Sequence, residues 1–217
     1  KFKKEVFMGS SISIATSATR SAVGEREIAV EQLIKAYELA PKSQSISKMS
    51  FEALDYLSKS YMNDVVRGVR GFTRGMDDEV SQNFNKFAMI RGVLDKSEVW
   101  TREEVEVEKN LAKANRLLLE SATVDSEELF ARIIGHYNRA IELDGSDYAS
   151  RYNLAINLYN RGVSRLKSID HTTAMFELME IQDACVALFE KALNPMLSAH
   201  AMFPKRKETL KGLTTIY

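Results

Sequence analysis

Between Tyr137 and Gly162 the chain spells out the end of one amphipathic helix, a short polar turn and the start of another. Tyr137-Asn138-Arg139-Ala140-Ile141-Glu142-Leu143 runs into Asp144-Gly145, and a second helix follows from Arg151-Tyr152-Asn153-Leu154-Ala155 onward to Gly162. Small residues stand where two helices would have to approach closely. A second copy of the first half occurs much earlier, as Leu33-Ile34-Lys35-Ala36-Tyr37-Glu38-Leu39-Ala40-Pro41. A chain that repeats this grammar is constrained to pack helix on helix.

Composition agrees. Hydrophobic residues make up 45% of 217, enough to bury a continuous core. With 10 Gly and 3 Pro, the stretches between them are rich in Ala, Leu, Glu, Lys and Arg, which favours helix over strand. Thirty basic residues balance thirty acidic ones, so no overall field draws the chain to nucleic acid or anionic lipid, and nucleic acid is not expected as a partner. The single Cys185 excludes an internal disulfide framework and any multi-cysteine metal site, and is compatible with either redox compartment. No run reaches the roughly 18 apolar residues of a membrane span, so no transmembrane segment is expected. The first residue is Lys1, which suggests an upstream segment; if that was a signal peptide the protein is exported or in the cell envelope, and otherwise cytoplasmic.

The periodicity predicts a first segment over 6–23, with Ile12, Ile14, Ala15 and Ala18, and a helix over 25–40 on Ala29, Leu33, Ala36 and Ala40, stopped by Pro41. A longer helix, capped by Ser43, Ser45 or Ser47, reaches about Val66 with Met49, Leu54, Leu57, Tyr61 and Val65 inside. The glycines of 67–75 read as a hinge, within a single domain spanning 1–217. Asp77, Asp78 and Glu79 open the next helix, which ends near Lys96. Thr101 with Glu104 is a capping-box pattern for a helix to about Ser121. Asp125 or Ser126 caps a helix to Leu143, Ser146 or Asp147 one to about Ser168, and Thr172 or Thr173 one to Leu193, closed by Pro195; a short helix follows Pro204.

These residues resemble the tetratricopeptide repeat, a 34-residue helical hairpin that stacks into a right-handed solenoid. The family's large-small-turn pattern falls on Leu33, Ala36 and Pro41, and again on Tyr137, Ala140 and Gly145; its first-helix pattern falls on Asn153, Leu154, Ala155, Tyr159 and Gly162. Ala36 and Ala140 are separated by close to three such periods. Phe189 and Ala192 fit, Pro195 comes two residues early, and 63–120 shows no repeat signature, so the resemblance covers about half the chain and points to a degenerate, long-helix variant. It implies an all-α fold of about eight helices, antiparallel hairpins stacked as a solenoid, with a concave groove for a peptide or partner protein and end faces open to a homo-oligomer.

Catalytic motifs are missing: there is no phosphate loop ending Gly-Lys-Ser/Thr, no His-Glu-x-x-His, no Gly-x-Ser-x-Gly and no Cys-x-x-Cys. No enzyme, catalytic residue, cofactor or metal is expected. His136, His171 and His200 are dispersed and read as surface or turn residues, and Cys185 as a core thiol. Asn153, Asn157 and Asn160 recur at i, i+4 and i+7 and form one polar stripe, beside which Tyr152, Ile156 and Tyr159 form a second. Asn is a mediocre helix former, so three on one face suggest peptide binding, with inter-helix hydrogen bonding as the competing explanation. Arg67, Arg70 and Arg74 would share a face if helical, either as an anion clamp or, more simply, as a solvated connection. Glu103, Glu104, Glu106 and Glu108 are an acidic helix start. Met175, Met179, Met196 and Met202 with Phe176, Phe189 and Phe203 read as an adaptable apolar reserve, most simply core packing, with a promiscuous groove as the competing explanation. A binding scaffold follows from these features; a ligand-binding or transport-accessory lipoprotein with a hydrophobic channel between long helices is the alternative.

Overall fold

The computed structural model describes residues 23–39, 44–97, 99–122 and 126–216, with the backbone alone at 23–25, 44 and 46. The described residues form eight α-helices and no strand. The expected segment over 6–23, apart from Val23, together with Ala40, Pro41, Ser43 and Asp125, lies outside them. By their internal contacts the residues divide into two compact units, one up to Trp100 and one from Thr101.

The first unit contains α1 (Val23–Leu39), α2 (Gln44–Arg70) and α3 (Asp77–Leu94). Ala29, Leu33 and Ala36 are buried on α1 at helical spacing, against Leu54, Leu57, Tyr61 and Val65 of α2; Val80, Phe84, Phe87 and Ile90 supply the buried face of α3. Trp100 closes this core edge-on against Phe87, with ring centroids 4.7 Å apart. The glycine-rich run read as a hinge is the end of α2 and the turn into α3. A Cβ on Gly68 would stand 2.6 Å from Val80 Cγ2, so this glycine lets two helices meet closely, and at Gly75, with φ +88°, it makes the turn. Arg67 and Arg70 in the last turn of α2, and Asp77, Asp78 and Glu79 in the first turn of α3, complement the dipoles of their helices. The break between compact units falls instead at Trp100–Thr101.

The second unit contains α4 (Thr101–Ser121), α5 (Glu127–Leu143), α6 (Tyr148–Lys167), α7 (Met175–Met202) and α8 (Lys207–Ile216). Two of the expected caps form: Ser126 Oγ accepts from the Leu129 N–H at 3.3 Å, and Asp147 Oδ2 from the Ser150 N–H at 2.8 Å. The core gathers Ala112 of α4, Ile133 and Tyr137 of α5, Leu154, Ala155 and Leu158 of α6, and Ala192 and Met196 of α7.

Helix α7 departs from expectation at both ends. It does not close at Pro195 but continues to Met202 with the proline inside. The missing N–H and ring clash cost about 3 kcal/mol. Burial of Met196 and Ala199 beyond the proline, at about 1.5–3 kcal/mol for a Met side chain, offsets this. At the other end the cap position is Ala174, without a side-chain bond. Thr172 and Thr173 serve the preceding turn: Thr172 donates through N–H and Oγ1 to Asp170 Oδ1, and Thr173 Oγ1 accepts from the Asp170 N–H. The same Asp-x-Ser/Thr turn recurs at Asp95–Ser97 and Asp144–Ser146. Hydrogen bonds from these hydroxyl residues hold all three carboxyls below the usual aspartate range.

Candidate functional site: a polar groove along α6

The asparagine stripe lines a cavity of about 390 Å³ in the second unit. Asn153, Ile156, Asn157 and Asn160 of α6 form one wall; Lys109, Asn110, Lys113 and Arg116 of α4 form the other, with Tyr137 of α5 between them. Spacing explains both walls. Asn153, Asn157 and Asn160 repeat at i, i+4 and i+7, and so do Lys109, Lys113 and Arg116, which puts three amides opposite three cations.

The groups differ in how far they are already satisfied. Asn157 Nδ2 donates to the Asn153 carbonyl and Asn110 Nδ2 to the Glu106 carbonyl, both at 2.8 Å, so these amides are partly committed. The side chains of Asn153 and Asn160 have no hydrogen-bond partner among the described residues. Lys109 is paired with Glu106 at 2.6 Å and with Asp147 at 3.3 Å. Burial alone would lower its pKa, but the bonds to Glu106 and Asp147 outweigh burial and hold it above the ordinary lysine value. Arg116 reaches Glu120 at 2.8 Å, and Lys113 has no ion-pair partner among the described residues. Burial raises the Tyr137 phenol, against the opposing fields of Arg116 and Lys109.

A second cavity of about 210 Å³ shares Arg116, Asn157 and Asn160 and extends past Phe130, Arg161 and Ser164. Arg161 is buried, lies 5.1 Å over the Phe130 ring and donates to Glu127 at 2.7 Å, where Arg165 also donates. Partial burial would raise the Glu127 carboxyl, but these two guanidinium bonds win and depress it. The groove therefore follows α6 for about three turns.

Tyr152 and Tyr159 do not line either cavity. Tyr152 stacks on Tyr148 with centroids 5.8 Å apart and planes 11° from parallel, and Tyr159 lies 5.3 Å from Phe189 of α7. Both pack against the core on the face of α6 beside the amides; burial, then Tyr148 and Glu208, raises the Tyr152 phenol. Of the arginines, Arg67 lines a separate cavity of about 400 Å³ in the first unit with Tyr61, Asp64 and Lys86, and pairs with Asp64 at 3.6 Å. Arg70 and Arg74 are exposed and do not line it. The α4 cations were missed in the sequence although their spacing is the same as that of the asparagines.

The histidines and the cysteine sit apart from the groove's chemistry. His136 Nδ1 is 2.7 Å from Glu108 Oε2 across α4 and α5, His200 Nδ1 is 3.3 Å from Thr209 Oγ1, and His171 is exposed. Cys185 is buried and its Sγ donates to the Gly162 carbonyl at 3.3 Å. No cluster of three or more His, Cys, Asp or Glu able to hold a metal, and no helix long and apolar enough to cross a membrane, occurs among the described residues. No protein-family model and no curated protein sequence matches this chain.

Proposed function

We propose that the protein is a non-enzymatic scaffold that holds an extended segment of a partner protein along α6. In this reading α4 with α5, and α6 with α7, are successive tetratricopeptide-like hairpins of a right-handed solenoid, α8 is a short terminal cap, and the amide-cation groove is the concave surface. The reading rests on the opposed stripes of Asn153, Asn157 and Asn160 and of Lys109, Lys113 and Arg116 around one cavity. An extended peptide offers a backbone N–H and C=O at each step, which side-chain amides can match, while carboxylates on the segment find the unpaired ammonium of Lys113. A hydrophobic channel between the long helices α6 and α7 is not favoured, because Phe189 of α7 fills the space over Gly162 of α6.

The test is selection from a peptide library against the whole chain, followed by fluorescence anisotropy on the selected sequences. Acidic extended peptides are expected, with affinity falling as salt rises. Replacing Asn153 and Asn160 together by Ala should weaken binding about 30-fold or more, at roughly 1 kcal/mol per lost hydrogen bond, with the circular dichroism spectrum unchanged. Undiminished affinity in that variant, or selection of neutral apolar peptides indifferent to salt, refutes the assignment.

A further inference from the structure

Helix α7 carries two apolar faces. Leu178, Ile181, Cys185, Ala192 and Met196 turn inward, and only the last two join the central core of the unit. On the adjoining face Met175, Met179, Val186 and Leu197 are 71%, 54%, 54% and 41% exposed, and half-buried Leu193 continues their line. With Gln182 and Glu190, these positions fall within about 80° of arc at 100° per residue, forming a straight stripe about 33 Å long. Pro195 is on the far side of the helix and does not interrupt it. The ten residues of α8 pack near the C-terminal end, where a Cβ on Gly212 would meet Met196 and His200 reaches Thr209, so the rest of the stripe is left uncovered.

The order of residues along the stripe says what covers it. Counted from Val186, apolar residues stand seven and eleven positions away on both sides (Met179 and Leu193, Met175 and Leu197), and polar ones four positions away on both sides (Gln182 and Glu190). A pattern that reads the same from either end is complementary to itself when reversed. We propose that α7 pairs antiparallel with α7 of a second copy of this chain about a two-fold axis through Val186. Met175 then meets Leu197, Met179 meets Leu193, and the Gln182 amide donates to the partner's Glu190 carboxylate. Charge points the same way. The N-terminal half of α7 carries Glu177, Glu180 and Asp183 with no Lys or Arg between 168 and 190, whereas Lys191 and then Lys205, Arg206 and Lys207 follow toward the C-terminal end. Reversal sets acidic halves beside basic ends. Asp183, which flanks the stripe, has no ion-pair partner within the chain among the described residues and is available to a second copy; Glu180 and Lys191, also without a partner there, lie farther round the helix and add only longer-range attraction, and Glu177 is on the far side with Pro195.

A single helix pair lies at the small end of stable interfaces, so the dimer should form with a dissociation constant of about 10–100 µM. Sedimentation velocity over about 5–500 µM should show a concentration-dependent shift from monomer to dimer. Val186→Glu sets two carboxylates on the axis and should raise the dissociation constant at least 100-fold, with unchanged circular dichroism because the site is exposed. In a Cys185→Ala background, Val186→Cys should form a disulfide-linked dimer on mild oxidation. In that background Met179→Cys should link to a Leu193→Cys chain in preference to itself. A monomer throughout the range, a dimer indifferent to Val186→Glu, or self-linking of Met179→Cys as in a parallel pair would each overturn the proposal. So would a monomer that instead captures an unrelated amphipathic helix on this face.

Discussion

Replacing Ile133 by Ala should cost the second unit about 2–5 kcal/mol and lower its thermal midpoint by on the order of 10 °C. Ile133 is 1% exposed and sits among Ala112, Tyr137, Leu154, Leu158 and Met196, on four different helices. Removing three of its carbons forfeits their transfer from water and leaves a void whose walls cannot all move inward. The surrounding helices already meet through small residues such as Ala112, Ala155 and Ala192, which gives them little room to collapse. The control is Leu117→Ala on α4: Leu117 is half-exposed, and its loss should stay within about 0.5 kcal/mol. Urea unfolding followed by circular dichroism measures both. A loss below about 1 kcal/mol at Ile133 would mean that the helices do not converge there.

What could be read from the sequence was local. Ala29, Leu33 and Ala36, or Ser126 and Asp147, reveal themselves through spacing or chemistry within one or two turns, and those assignments hold. The asparagine stripe was legible for the same reason, because i, i+4 and i+7 share a face whatever lies opposite. Features set by a neighbouring helix were not legible. Spacing puts Tyr152 and Tyr159 on a stripe beside the asparagines, but it could not say that Phe189 of α7 would lie against Tyr159. Pro195 is a helix stop by its own chemistry and an interior residue once Met196 and Ala199 are buried beyond it. Gly68 looks like a hinge until Val80 is placed against it. The methionines divide similarly: Met196 is core, whereas Met175 and Met179 are exposed on a face the core does not use. The α4 cations had the right spacing, yet nothing in the sequence said which helix they would face.

Two glycine-to-alanine changes on adjacent helices should move stability in opposite directions. In a helix interior Ala is favoured over Gly by about 1 kcal/mol, because the unfolded glycine has more backbone freedom to lose. At Gly135 of α5 nothing lies within 4 Å of the added Cβ, so Gly135→Ala should stabilise by about 0.5–1 kcal/mol. At Gly162 of α6 the Cβ would stand 2.6 Å from Phe189 Cε1 and 3.0 Å from Cζ. The ring must move, and Tyr159 lies beside it while Cys185 ties α7 to the Gly162 carbonyl. Overpacking of this kind costs about 1–3 kcal/mol, which outweighs the entropic gain, so Gly162→Ala should destabilise. The cause can be isolated by a double-mutant cycle with Phe189→Leu, which shortens the side chain that obstructs the new methyl. Phe189→Leu alone should destabilise through lost packing, but in its presence Gly162→Ala should cost less by 1 kcal/mol or more. Equal costs of Gly162→Ala in both backgrounds would show that α6 and α7 do not meet through this glycine, and the small-residue rule drawn from the sequence would fail at the point where it makes its strongest demand.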